Sequence, residues 1–153
     1  MKKLVTFAAL VLSINSFGAV TKGKNWVIDK HEVQNELVRN LTANQDCFLE
    51  SINDNSGEVL LKIKLEADEF DANNEFVAKT TKATDRIIKL KLSQDSKSSE
   101  YTIDLYYENM WDRHDTSRAI SSDLQAFKVG VESRNFSGTG FFSEPAHTFF
   151  YCK

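Results

Sequence analysis

Proline occurs once in this 153-residue chain, glycine six times and cysteine twice. So little proline and glycine excludes collagen-like repeats, flexible linkers and low-complexity tails. Two cysteines, Cys47 and Cys152, cannot build a multi-disulfide framework. Neither has a Cys or His at the short spacing of a zinc site, and neither lies in the basic or His-flanked surroundings of a reactive thiol. No metal, cofactor or catalytic thiol is expected. Asp and Glu number 22 against 19 Lys and Arg, a formal charge of −3 that becomes −5 without Lys2 and Lys3. Generic phosphate-backbone binding is thereby disfavoured, and no nucleic-acid partner is expected. Beyond the N-terminus no apolar run approaches the length of a membrane helix, so no transmembrane segment is expected in the mature chain.

What the N-terminus does contain is an export signal. Met1-Lys2-Lys3 is a short basic start, Leu4 to Ile14 an apolar run, and Ser16-Phe17-Gly18 a small-x-small processing site. Residues 1–18 read as a signal peptide and 19–153 as one secreted β-rich domain, placing the mature protein in the periplasm or the medium. The remaining 135 residues suffice to bury roughly two thirds of the unfolded surface in one core. In an oxidising compartment Cys47 and Cys152 are expected to bond to each other. Closing a loop of that size is worth about 4 to 5 kcal/mol in the chain-entropy model.

Asp29 followed by Glu32 has capping-box spacing, and Val33, Leu37, Val38 and Leu41 then share a helical face, predicting a helix from about Lys30 to Ala43 that buries Val33, Leu37 and Leu41. Beyond Gln45 the period changes to two. Alternation is clearest from Glu58 to Glu66, Arg86 to Ser93 and Glu100 to Glu108. It is weaker at Cys47 to Asn53, Phe76 to Thr81 and Ala126 to Ser133, and an aromatic strand covers Thr148 to Cys152. Turn-prone segments such as Asp54-Asn55-Ser56-Gly57 separate them. The expected fold is mainly β with one N-terminal helix: an antiparallel meander of about seven strands, curled into a small barrel or a two-layer sheet with Cys47 joining the first strand to the last. The helix would cover one open end.

No motif for catalysis stands out. In Trp111-Asp112-Arg113-His114-Asp115, His114 is the side chain suited to proton transfer near neutral pH, with Asp112 or Asp115 to orient it and Ser117, Ser121 or Ser122 as nucleophiles. No nucleophile elbow surrounds these residues, and the segment reads as a solvated loop. Asp68, Glu69 and Asp71 cluster around Phe70 but lack EF-hand spacing, and read as a solvated turn.

Two features suit a binding surface. With Phe76, Ala78 and Thr80 inward, Lys79 faces outward between Lys62 and Lys64 on one neighbour and Lys89 and Lys91 on the other. The five lysines would make one outer face, either compensated by Glu58, Glu66 and Glu75 or open to an anionic partner. Phe136, Phe141, Phe142, Phe149, Phe150 and Tyr151 crowd the C-terminal region, and adjacent pairs must place one ring on each side of a strand. Gly23-Lys24-Asn25-Trp26 has one residue more than the Gly-x-Trp motif of a lipocalin barrel, and no family is read from the residues.

The expected function is that of a non-catalytic exported binding or interaction protein of the cell envelope. Its partner is an anionic envelope component or another protein. A small hydrophobic-ligand carrier with a barrel pocket is the alternative, and a hydrolase using His114 ranks third.

Overall fold

The computed structural model describes residues 26–80, 86–109, 114–125, 128–137 and 142–153, without the side chains of 135–137 and 142. Residues 1–18, expected to be an export signal, Trp111 to Arg113 and the rings of Phe136, Phe141 and Phe142 lie outside that set. Among the described residues there are nine strands, one helix and a single 3-10 turn. The strands are β1 (Trp26–Ile28), β2 (Cys47–Asn53), β3 (Val59–Lys64), β4 (Glu75–Thr80), β5 (Ile87–Gln94), β6 (Tyr101–Glu108), β7 (His114–Ser121), β8 (Lys128–Ser137) and β9 (Phe142–Cys152).

They form two antiparallel sheets, β1-β4-β5-β6-β7 and β3-β2-β9-β8. The fold is thus the two-layer sheet rather than the barrel. Residues two apart point to the same side of a strand, so each run of alternating apolar residues supplies one inner face. Phe76 and Ala78, then Ile88, Leu90 and Leu92, then Ile103 and Leu105 line the five-stranded sheet; Leu49, Leu61, Ile63, Val131 and Phe150 line the other. Fully burying one such large aliphatic or aromatic side chain is worth about 1.5 to 3 kcal/mol.

The meander is interrupted between β3 and β4. After β3 the chain buries Leu65, Ala67, Glu69 and Phe70 in succession and crosses from one layer to the other through the 3-10 turn Ala67–Glu69. It returns after β7, so that β8 and β9 form a hairpin whose second strand pairs with β2 over seven residues, Cys47↔Cys152 to Asn53↔Ala146. The disulfide Cys47–Cys152 is formed, with Cα atoms 4.0 Å apart. It staples two directly paired strands. The edges of the layers approach where the Asp115 carboxylate on β7 accepts the Glu132 N–H of β8 at 2.7 Å.

Three expectations need correction. The helix α1 spans Glu36–Thr42, not Lys30 to Ala43, and its N-cap is Asn35, whose Oδ1 accepts the Val38 N–H at 3.1 Å. Asp29 instead follows β1, where its carboxylate pairs with Lys79 at 3.4 Å. Val33 precedes the helix and is 79% exposed, while Val38 and Leu41 of the same expected face are buried. The segment read as a loop at His114 and Asp115 opens strand β7. Finally, Cys47 lies on the second strand, because Trp26–Ile28 pairs with Ala78 to Thr80 ahead of the helix.

Candidate functional site

The crossover between β3 and β4 decides where the five lysines stand. Lys62 and Lys64 lie on β3 of the four-stranded sheet, whereas Lys79, Lys89 and Lys91 lie on β4 and β5 of the five-stranded sheet. Outer faces of stacked sheets point in opposite directions, so the single five-lysine surface does not form. On the five-stranded sheet the register sets Glu75, Lys91, Asp104 and Arg118 side by side across four strands, a row of alternating sign. Arg118 grips Asp104 with Nε and, at 3.0 Å, with Nη2, which raises the Arg118 pKa. Lys89 lies over the Tyr106 ring, 5.8 Å from its centroid. On this face Arg118 and Lys79 are thus matched by carboxylates, Asp104 and Asp29, and Lys89 by a ring.

The outer face of the four-stranded sheet differs. Cys47 and Cys152 point inward, so their neighbours Phe48 and Tyr151 point outward and meet across the β2–β9 pair, stacked at 5.5 Å and 26°. Phe149, between the buried Thr148 and Phe150, points outward too and stacks on His147 at 5.9 Å. Opposite Phe149 stands Gly130. A Cβ at Gly130 would come within 2.6 Å of the Phe149 ring, so the absent side chain is what lets the ring lie across β8.

Lysines surround this aromatic row. The Lys128 ammonium is 3.7 Å from the Phe149 centroid and 5.4 Å from that of Tyr151. Lys62 and Lys153 stand 5.2 and 5.1 Å from the Phe48 centroid. Such contacts hold a cation against a ring's negative face while leaving part of its hydration shell in water. Beneath them Glu50 accepts a 2.6 Å hydrogen bond from the Tyr151 hydroxyl and faces Lys62 at 3.7 Å. Burial first, then the Glu50 carboxylate, push the Tyr151 phenol above its ordinary value. The Tyr151 oxygen and then Glu50 raise Lys62. Lys64 pairs with Asp46 at 2.7 Å, and His147 Nδ1 lies 2.8 Å from the Asp54 carboxylate.

The other candidates have structural partners. His114 is exposed at the start of β7, and its neighbour Asp115 turns to the Thr116 and Glu132 amides rather than to the imidazole. Ser121 closes a local turn with Asp123. Lys30 sits within the acidic cluster, 3.0 Å from Asp68 and 3.4 Å from Glu69, while Asp71 accepts the Asn73 and Glu75 amides. Among the described residues no group of three or more His, Cys, Asp and Glu could hold a metal ion. Between the sheets lies a cavity of about 90 Å³, well below the 300 to 1,000 Å³ typical of small-molecule pockets.

Comparison with protein-family models, curated proteins and solved structures finds no match to this chain. The site must be read from its own residues.

Sequence reasoning identified Lys62 and the Phe149-Phe150 pair but passed over Phe48, Lys128, Gly130 and Lys153. Two signals bore on them. A disulfide between inward-facing strand residues forces the adjacent Phe48 and Tyr151 outward together, and a glycine inside Val129-Gly130-Val131 marks a place where something approaches the backbone closely.

Proposed function

We propose that this protein is a non-catalytic exported binding protein of the cell envelope, which holds an anionic glycan on the outer face of its four-stranded sheet. The observation that carries the reading is the row of outward-facing rings, Phe48, Tyr151 and Phe149, with the ammonium groups of Lys62, Lys128 and Lys153 set against them. Flat ring faces suit the apolar faces of sugar rings, and the surrounding ammonium groups suit carboxylate or sulfate substituents along the polymer. Lysine is depleted from the cores of protein–protein interfaces, which favours a glycan over a protein partner. Export rests on the N-terminal signal pattern and on the disulfide, which persists in oxidising compartments.

The test is retention of the oxidised protein on an immobilised acidic polysaccharide across a salt series. Retention should weaken steadily with salt, because exposed charges are screened over about 10 Å at 0.1 M. It should be lost in the double variant Phe149→Ala, Lys128→Glu and kept in Lys89→Glu, Lys91→Glu on the opposite sheet. Equal retention of both double variants would remove the glycan reading. Retention on a neutral matrix as strong as on the acidic one would remove the charge argument.

A further inference from the structure

Strand register divides the outer face of the four-stranded sheet into rows that cross its strands. One row sets Lys64, Phe48, Tyr151 and Lys128 side by side, the next Lys62, Glu50, Phe149 and Gly130, and the third Ile52, His147 and Glu132. Aromatic rings run through all three, because the His147 imidazole stacks on Phe149 at 5.9 Å and 20°. The charges change sign along the same path. Lys62 and Lys153 hold their ammonium groups against Phe48, and Lys128 lies over Phe149 and Tyr151. In the third row the exposed Glu132 stands directly across from His147, and the Asp54 carboxylate meets Nδ1 of the same imidazole at 2.8 Å. His147 thus has a carboxylate residue on either side.

Distance decides which of these charges a bound group feels. Tyr151 and His147 are four residues apart on β9, which is about 13 Å along an antiparallel strand. Exposed charges are screened over about 10 Å at 0.1 M salt. An anion above the Phe48–Tyr151 pair lies among ammonium groups and is screened from the carboxylates of the third row. An anion above His147 lies beside Glu132 and Asp54 and is repelled at short range. The ring platform is therefore longer than the part of it that suits an acid.

We infer that the glycan lies along β9 with a fixed polarity, an acidic sugar at the Phe48–Tyr151 end among Lys62, Lys128 and Lys153, and sugars without an acid over Phe149 and His147. This polarity rests on the glycan reading above and narrows the ligand to an oligosaccharide that is acidic at one end. Glu132 is then a specificity-determining residue. It costs nothing to a ligand whose acid sits on the lysines, and it penalises one that carries an acid on every sugar. Such a fully acidic chain still binds through its first sugar but gains nothing from the acids that follow.

The experiment titrates the oxidised full chain at about 0.1 M salt and follows binding in proton–nitrogen correlation spectra. The probes are tetrasaccharides of one backbone: neutral, acidic on every sugar, and acidic on either terminal sugar alone. At least one of the singly acidic ligands should bind as tightly as the fully acidic one. Glu132→Gln should tighten the fully acidic ligand about two- to fivefold and leave the singly acidic one unchanged. That variant keeps the shape of the side chain, and the backbone N–H of residue 132 still donates to Asp115. Lys128→Gln should weaken both ligands. A fully acidic ligand that binds several-fold tighter than both singly acidic ones, or a Glu132→Gln effect that is absent or the same for all acidic ligands, would overturn the polarity and leave the glycan reading standing. Acidic ligands that bind no better than the neutral one would remove that reading and the polarity with it.

Discussion

The outer faces of the two sheets solve the same problem differently. Both carry lysines on a solvated surface of a net acidic chain. On the five-stranded sheet the register sets Glu75, Lys91, Asp104 and Arg118 side by side in alternating sign and Lys79 pairs with Asp29, so that Lys89 over Tyr106 is the one lysine named there that rests on a ring. On the four-stranded sheet Lys128 and Lys153 rest on rings, and Lys62 divides its charge between Phe48 and Glu50. A cation matched by a neighbouring carboxylate has little left to offer an anion, whereas one resting on an aromatic face keeps its full charge. On this contrast rests the proposal that the second face, rather than the first, takes a partner. Exposed apolar side chains mark the contrast too: Val27 and Ile120 stand singly on the edge strands of the five-stranded sheet, while the rings of the other face are contiguous.

Breaking the covalent tie should have the largest effect, because only the four-stranded sheet has one. Replacing Cys47 and Cys152 with alanine should lower stability by about 4 to 5 kcal/mol in urea denaturation. A loss below about 1 kcal/mol would mean that the β2–β9 pairing already restrains the unfolded chain. Next, Phe150→Ala should cost about 3 to 5 kcal/mol, while Phe149→Ala, one residue away on the outer face, should cost far less. Equal losses would show that the outer ring is structural rather than available.

Gly130→Ala sharpens the comparison without changing any charge. The new methyl must displace the Phe149 ring, so retention on the acidic polysaccharide should fall about tenfold, some 1.4 kcal/mol of binding free energy, with the folded core unaltered by circular dichroism. Unchanged retention would separate the ring's placement from binding.

The crossover that divides the two faces supplies a pH test. Burial holds the Glu69 carboxyl above its ordinary value of 4.5, an effect only partly offset by the Glu66 N–H and Lys30. A carboxyl raised in the folded state contributes stability that is complete below its unfolded pKa and lost as pH rises through the folded one. Glu69→Gln should therefore gain on the wild type as pH rises above 4.5, read as a growing difference in melting temperature. A difference that shrinks over that range would reverse the assignment. The smallest effect belongs to Asp104→Asn, which removes the partner of a solvent-exposed Arg118 and should leave both melting temperature and glycan retention unchanged.

Much of the fold is legible in the chain. The alternations at Val59, Leu61 and Ile63, at Ile88, Leu90 and Leu92, and at Tyr101, Ile103 and Leu105 mark inner faces that the structure buries wholly or partly. Strand β7 was not legible, because its inward positions are Asp115, Ser117, Ala119 and Ser121 while Ile120 faces outward at 63% exposure. An edge strand with a polar inner face carries no hydrophobic alternation to read. The helix start was misread because Asp29 and Glu32 have capping spacing, yet β1 pairs with β4 and draws Asp29 to Lys79. Of the candidate face, Lys62 and the Phe149-Phe150 pair could be found in the sequence. Its boundary could not, since Lys62 had been grouped with lysines that belong to the other layer.

By itself the sequence determined which side of each alternating strand faces the core, because a period of two is a local property, and its two lone cysteines pointed to the bond that the structure forms. Only the tertiary structure decided which strands are neighbours. Alternation assigns a residue to a face but not a strand to a sheet, and the buried run from Leu65 to Phe70 carries the chain between layers where a meander would have continued. That crossing parted Lys62 and Lys64 from Lys79, Lys89 and Lys91. The pairing of β2 with β9, between residues 105 positions apart at the disulfide, set Phe48 against Tyr151 and so built the face.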